Sequence, residues 1–128
     1  MKNIKEILNA IKNLDDDERQ ILFEEILDLH KVEISITSIK SVICKHYDIS
    51  PELLLSKSRR ADIVLARQLI MYFSREMTTL PLNAIGSNVG GKGHATVMHG
   101  CKKIKKIMEE EQGYLLVSKL AMKVRLLK

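Results

Sequence analysis

The sequence has no tryptophan, only two prolines and two cysteines, and six glycines in 128 residues; aromatic residues make up 4%. Each scarcity excludes something. Proline and glycine are the strongest helix breakers, so their rarity favours an all-α chain. With few aromatics, Leu, Ile, Val and Met must fill the interior, and at 45% the hydrophobic residues suffice for a real core. Cys44 and Cys101 have no C-x-x-C spacing and sit in apolar helical patterns, so both read as buried free thiols. No apolar run approaches the roughly 18 residues that span a membrane. Lys2, Lys5 and Glu6 punctuate the N-terminus where a signal peptide would be apolar, so a cytoplasmic location is expected. The length suits one domain with little room for a second.

What is present is unevenly distributed. The net charge is +5, yet residues 1–33 hold five Lys/Arg against nine Asp/Glu, and residues 34–128 hold sixteen against seven. A basic body with an acidic arm suggests a polyanionic partner for the body. The glycines are clustered too: four of the six lie between Gly86 and Gly93, in "GSNVGGKGHATVMHG".

Hydrophobic periodicity organises the chain. Ile4, Ile7, Leu8 and Ile11 form a helical stripe over residues 2–13. Asp15 or Asp16 caps a second helix to about Lys31, with Ile21, Leu22, Glu25, Ile26 and Leu29 on one side. The two make an αα-hairpin that cannot bury both stripes alone and must dock on the body or on another chain. Thr37 or Ser38 caps a helix to Tyr47 with Ile39, Val42, Ile43 and His46 on one side. Pro51 opens a short helix, and "SKSRR" is a basic loop. A long helix from Arg60 to Met77 buries Ile63, Ala66, Ile70, Phe73 and Met77 and shows Arg67 and Arg75 at the surface. A short helix with Leu82, Ile85 and Val89 follows; Gly86 inside it implies a close helix–helix approach, and Gly90 and Gly91 imply a cap with φ > 0. The next helix, from Gly93 or His94 to Glu111, buries Val97, Cys101, Ile104 and Met108. Its other side shows His94, Ala95, His99, Lys102, Lys103 and Lys106. Gly113 breaks the chain before a final basic helix, Leu116 to Leu127.

The glycine cluster admits several chemistries, and spacing separates them. A phosphate-cradling loop needs G-x-x-x-x-G-K-[ST] after a strand; here Lys92 is flanked by Gly91 and Gly93, with no strand before it. His94 and His99 lie five apart, about 140° around a helix, which misses the i, i+4 geometry of helical zinc pairs. No nucleophile elbow and no cofactor fingerprint exist, so neither an enzyme nor a cofactor or metal is expected. A helix-turn-helix explains more. Its second helix enters the major groove with its first residues on base edges. His94, Ala95 and Thr96 supply a donor/acceptor, a methyl and a hydroxyl there, while the helix N-terminus and Lys92 can hold a phosphate. The run "KKIKK" alone would read as a solvated face; the turn before it favours a DNA surface.

At these residues the sequence resembles a known family. "KSRRADIVLARQLIMYFSREMTTLPLNAIGSNVGGKGHATVMHGCKKI" is similar to the C-terminal DNA-binding domain of DnaA, the bacterial chromosomal replication initiator, over roughly residues 34–112. The most specific parts are "ARQLIMYFSREMT", "L-x-x-IG" and "GG-x-x-H-x-TV-x-H". The resemblance implies a helical domain with a helix-turn-helix and a basic loop, binding a nine-base-pair duplex element, the DnaA box. It implies that Arg59 is the minor-groove arginine with Arg60 as a shifted substitute. It further implies that Arg67 and Arg75 contact the backbone, that Leu82 touches DNA, and that His94, Thr96 and His99 contact bases. Gly93 stands where the family has Asp, Ala95 where it has Thr, and Leu65 and Ala66 where it has Arg and Pro.

The resulting expectation is an arm (1–33) on a DnaA-type domain (34–128), standing alone because no Walker motif of the initiator's ATPase occurs. Its partner is double-stranded DNA at DnaA-box-like sites, in a nucleoid-associated bacterial protein that regulates replication initiation or transcription. Phosphate anchors are Lys57, Arg60, Arg67, Arg75 and Lys92; Arg59 probes the minor groove; His94, Ala95, Thr96 and His99 read the major groove; Lys103 extends the positive face. The alternative is a protein-interaction or dimerisation module acting through residues 1–33, with vestigial DNA binding. A weaker third reading puts the basic Leu116–Leu127 helix on anionic lipid; packing into the small core is preferred.

Overall fold

The computed structural model describes residues 4–28 and 34–126. Among them there are eight helices and no strand: α1 (Ile4–Ile11), α2 (Asp16–Asp28), α3 (Ile36–Tyr47), α4 (Pro51–Leu55), α5 (Ala61–Met77), α6 (Leu82–Ser87), α7 (His94–Ile107) and α8 (Glu111–Leu126). The all-α expectation holds. The expected extension of α2 to Lys31, the side chains of Ile4, Ile26 and Leu29, and the Leu127 end of α8 lie outside this description.

Caps set several boundaries. The Asp15 carboxylate accepts from the Glu18 amide at 2.8 Å while the Glu18 carboxylate accepts from the Asp15 amide at 3.2 Å, a reciprocal pair that starts α2. For α3 the cap is Ser35, whose Oγ accepts from the Ser38 amide at 3.1 Å, and not Thr37 or Ser38 as expected. The hydroxyl one turn earlier reaches the first unpaired amides, so the helix begins sooner. Ser50 caps α4 in the same way, with Pro51 in its first turn.

Helix α5 is the centre of the body. Ile63, Ala66, Leu69, Ile70 and Phe73 are fully buried on it, between α3 on one side and α7 on the other. Gly100 lets α7 approach: a Cβ there would lie 2.6 Å from the Met71 sulfur and 3.7 Å from the Gln68 Cα. Helix α8 closes the base, burying Val117, Leu120, Ala121 and Val124 and packing on α1, α2 and α3. Its apolar stripe is therefore consumed in the core, as the packing reading held, and no described helix is long and apolar enough to cross a membrane.

Gly113 does not break the chain. It sits in the first turn of α8, where a Cβ would meet the Ile107 carbonyl oxygen at 2.0 Å, so its bareness lets α8 start directly under the end of α7. The hairpin α1–α2 docks on α8 of its own chain: Ile11 and Phe23 belong to the same buried cluster as the body. The stripe expected on α2 is shifted, for Ile21 is 58% exposed while Phe23, absent from the expected set, is 3% exposed. The Phe23 ring meets Tyr114 at 5.8 Å between centroids. The Tyr114 hydroxyl donates to the Arg19 carbonyl, and the Arg19 guanidinium pairs with Glu111 at 2.7 Å. Docking on an aromatic partner, rather than the period of α2 alone, selects the buried face.

Candidate nucleic-acid interface

The turn between α6 and α7 is built by glycine where the backbone demands it. Gly90 and Gly91 have φ of 98° and 71°, the left-handed region, as the sequence implied. Gly86 meets the expected close helix, with the Val97 methyl of α7 3.4 Å from where its Cβ would lie, but the tighter neighbour is the returning turn: the Lys92 amide donates to the Gly86 carbonyl at 2.9 Å, and a Cβ on Gly86 would lie 1.8 Å from the Lys92 oxygen. The turn folds back onto α6 and aims α7.

Helix α7 starts at His94 with Gly93 as a cap that offers no side-chain hydrogen bond, and no acidic residue lies in its first turn. The amide of Val97 donates to the Gly93 carbonyl at 3.2 Å, which leaves the amides before it pointing out of the helix start. This end is positive by its dipole and uncovered by any carboxylate of its own. Val97, Gly100, Cys101 and Ile104 face α5 and α6, while Met108, the last of the expected seam, is only partly buried. His94, Ala95, Thr96, His99, Lys102 and Lys103 are exposed. Met98, overlooked in the sequence, is 37% exposed. It lies three residues from Ala95 and four from His94 and Lys102, so it shares their face. That spacing was the available signal; methionine's usual place in a core concealed it.

The basic loop lies against this turn. Leu55 ends α4, and a Cβ on Gly90 would lie only 3.1 Å from the Leu55 carbonyl oxygen. From there the chain runs through Ser56, Lys57, Ser58 and Arg59 to α5. Arg67 fixes that path. Contrary to the expectation of a surface phosphate anchor, Arg67 is only 5% exposed. Its Nε donates to the Leu54 carbonyl at 2.8 Å, and its terminal nitrogens donate to the carbonyls of Ser58 at 2.6 Å and Ser56 at 2.5 Å. The planar fork suits three converging carbonyls, which a lysine could not match. Leu65, aligned with a basic position of the family, is a half-buried residue of α5, outside the loop.

The two loop arginines now separate. Arg60 is bidentate to Asp62, at 3.1 and 2.8 Å. Its hydrogen bonds hold the Asp62 carboxyl below the usual carboxylate range. An exposed pair is solvated and screened, so it competes only weakly with a phosphate. Arg59 is exposed and makes no hydrogen bond or ion pair with any described residue. Lys57 is exposed beside it. Arg75, exposed at the end of α5, stands beside Cys101 of α7; burial pushes that thiol up, and the guanidinium acts in the opposite direction. Leu82 is half-buried at the start of α6. Lys92 is half-buried with its amide committed to Gly86, so only its side chain is available to a ligand.

Two short-linked helices, the second with a bare N-terminus and an exposed polar face, define a helix-turn-helix domain of the DNA-binding class. The particular family follows from comparison. Residues 36–104 match the family described as bacterial dnaA protein helix-turn-helix, and the chain belongs to it. The chromosomal replication initiator protein DnaA of Bacteroides fragilis is 34% identical over 103 residues, covering 80% of this chain and 22% of that protein. The same initiator from Buchnera aphidicola subsp. Baizongia pistaciae is 36% identical over 119 residues, 84% of this chain and 26% of the relative. That of a Nostoc species is 41% identical over 88 residues, 69% and 19%. The chain thus spans about a fifth to a quarter of the length of these relatives.

Proposed function

We propose that the chain binds double-stranded DNA at DnaA-box-like sites, with α7 in the major groove and the 56–60 loop in the adjacent minor groove. The observation that carries this reading is the junction of loop and turn: Gly90 backs onto Leu55, and Arg67 ties Leu54, Ser56 and Ser58 to α5. Two recognition elements distant in sequence thereby meet as one surface. His94, Ala95, Thr96 and His99 are the base readers, joined by Met98, whose thioether can contact a thymine methyl. Lys57, Arg75, Lys92 and Lys103 anchor phosphates, Leu82 touches the sugar-phosphate edge, and Arg60 joins them when it releases Asp62. Arg59 is the minor-groove probe. Bound at such sites, the protein would act in regulation of replication initiation or transcription. The interaction-module alternative has less apolar surface to draw on, since Ile11 and Phe23 are buried within their own chain while Ile21 stays exposed on α2.

Arg59→Ala is expected to weaken duplex binding about tenfold or more, as loss of a charge-assisted contact does. Arg75→Ala should weaken all sequences alike and lower the salt slope by about one unit. Fluorescence anisotropy across a salt series checks both. Unchanged affinity in either variant removes that residue from the site.

Box specificity is altered at Gly93. The family's aspartate would accept from a cytosine amino group, and Gly93 has no side chain to do so. A Cβ there meets nothing within 4 Å and the φ of −76° suits any residue, so Gly93→Asp fits without strain. The variant is expected to sharpen discrimination at one base pair by about 1–3 kcal/mol while stability gains only a few tenths of a kcal/mol from the better cap. Selection from a random duplex pool, run on both proteins, reads the difference. Identical selected motifs would show that Gly93 does not set specificity.

A further inference from the structure

A second positive surface lies on the side of the body away from the start of α7. Helices α3 and α7 pack on opposite sides of α5, and α3 packs in turn on α8. Where the end of α3 meets the C-terminal half of α8, Val42, Lys45, His46 and Lys123 line a shallow cleft. Lys119 precedes Lys123 by four residues and so shares its face of α8. The charges here are of one sign. No acidic residue occurs on α3, and none on α8 after Glu111, about 12 Å along the helix from Lys119. None of the three lysines forms an ion pair with a described residue. Lys119 and Lys123 are half-buried rather than splayed into water.

His46 gives an independent sign of that imbalance. Its Nδ1 lies 3.3 Å from the Lys123 Nζ, so two groups that are both cationic when protonated are in contact. The Tyr47 ring meets the imidazole edge-on at 4.8 Å. Burial, then Lys123 and Lys119, hold His46 below its usual range, and no carboxylate opposes them. The neutral ring nitrogen therefore accepts from the Lys123 ammonium. A lysine that takes a ring nitrogen where a carboxylate would serve keeps its charge uncompensated, and an arriving anion supplies what is missing.

We propose that this face holds the phosphate backbone of a second DNA duplex, so that one chain bridges two segments. It rests on the duplex-binding reading of α7 for the first segment only. Backbone binding needs positive charge and N–H donors, with no groove and no apolar anchor. Val42 is the one apolar residue of the lining among the described residues. A lipid surface would need an apolar face to enter it. Val117, Leu120, Ala121 and Val124 of α8 are buried, and of its large apolar side chains only Leu126 is exposed among the described residues. An acidic protein segment would find no apolar pocket to fix it.

In the test, a bead-bound duplex carrying a DnaA box captures the full chain, and retention of a free fluorescent duplex of scrambled sequence reports bridging. Anisotropy with each duplex alone reports single binding. Lys45→Gln, Lys119→Gln and Lys123→Gln together should cut bridging about tenfold or more and its salt slope by about three units, one per lysine, with box affinity within about twofold of the parent. The same three positions changed to Arg keep the charge and should bridge like the parent. Lys45→Gln alone, at an exposed position, leaves the core intact and should lower the slope by about one unit. Bridging that survives the three Gln changes, as it would through a dimer of chains, overturns the proposal. So does an equal loss of box affinity, which would put these lysines on the first duplex. Displacement of the fluorescent duplex by phosphatidylglycerol vesicles or polyglutamate as readily as by unlabelled duplex makes the face a lipid or acidic-protein surface and overturns it too. If the box duplex gains no preference while scrambled duplex binds through these lysines, the α7 reading falls and the second surface is supported alone.

Discussion

Gly86→Ala is expected to lower the stability of the chain by about 3 kcal/mol or more, the upper end of what overpacking does. The reason is what the new methyl would strike. It would lie 1.8 Å from the Lys92 carbonyl oxygen and 2.8 Å from its carbon, both backbone atoms that no rotamer change can move. Relief requires lifting the turn, and that breaks the hydrogen bond from the Lys92 amide to the Gly86 carbonyl. Gly100→Ala is the matched control. There the nearest atom is the Met71 sulfur at 2.6 Å, the far portion of a flexible side chain that can rotate aside, so the cost should stay near 1 kcal/mol. Thermal denaturation should put Gly86→Ala about 10 °C or more below the parent, with Gly100→Ala in between. Duplex affinity should fall with Gly86→Ala even where the protein is still folded, because the same turn aims α7. Equal melting temperatures for the two variants would contradict the turn contact.

Arg67 carries the second large effect, and its sign separates two roles. Removing the guanidinium in Arg67→Met leaves three backbone carbonyls without their donor, which should cost about 2–4 kcal/mol. The loop that holds Lys57 and Arg59 would lose its tether, and duplex affinity should fall at least about tenfold as Arg59 loses its fixed position. The informative variant is Arg67→Lys. It keeps the charge but cannot present a planar fork to Leu54, Ser56 and Ser58. A residue that merely neutralised a phosphate would tolerate that exchange. A residue that positions the loop would not, and Arg67→Lys should then resemble Arg67→Met in both melting temperature and affinity. Anisotropy and thermal melts on the three proteins decide it; duplex binding by Arg67→Lys at parental strength would restore the phosphate-anchor role.

Much of the fold was legible in the chain because it is written in local terms. Helix period, serine and aspartate caps, Pro51 at a helix start and the positive φ of Gly90 and Gly91 depend on residues a few positions apart. The errors fall where distant residues decide. Ile21 and Phe23 are both apolar and both near the expected stripe of α2; only the position of Tyr114 on α8 buries one and exposes the other. Gly113 looks like a helix breaker until Ile107 is seen at 2.0 Å from its missing Cβ. The exposed face of α7 was readable as a pattern, except for Met98, whose chemistry suggested the core.

The sequence by itself determined a helical chain with a glycine-built turn, the order of its helices and the types of residue that face outward at the start of α7. Those follow from propensity, period and backbone freedom, which act over one or two helical turns. Tertiary structure decided how the parts combine. It turned Arg67 inward, because three carbonyls of a loop converge on it, and it left Arg59 outward while Arg60 folded onto Asp62. It set the basic loop against the recognition turn at Gly90. None of these is a local property: each rests on groups brought together across tens of residues by burial of one shared core.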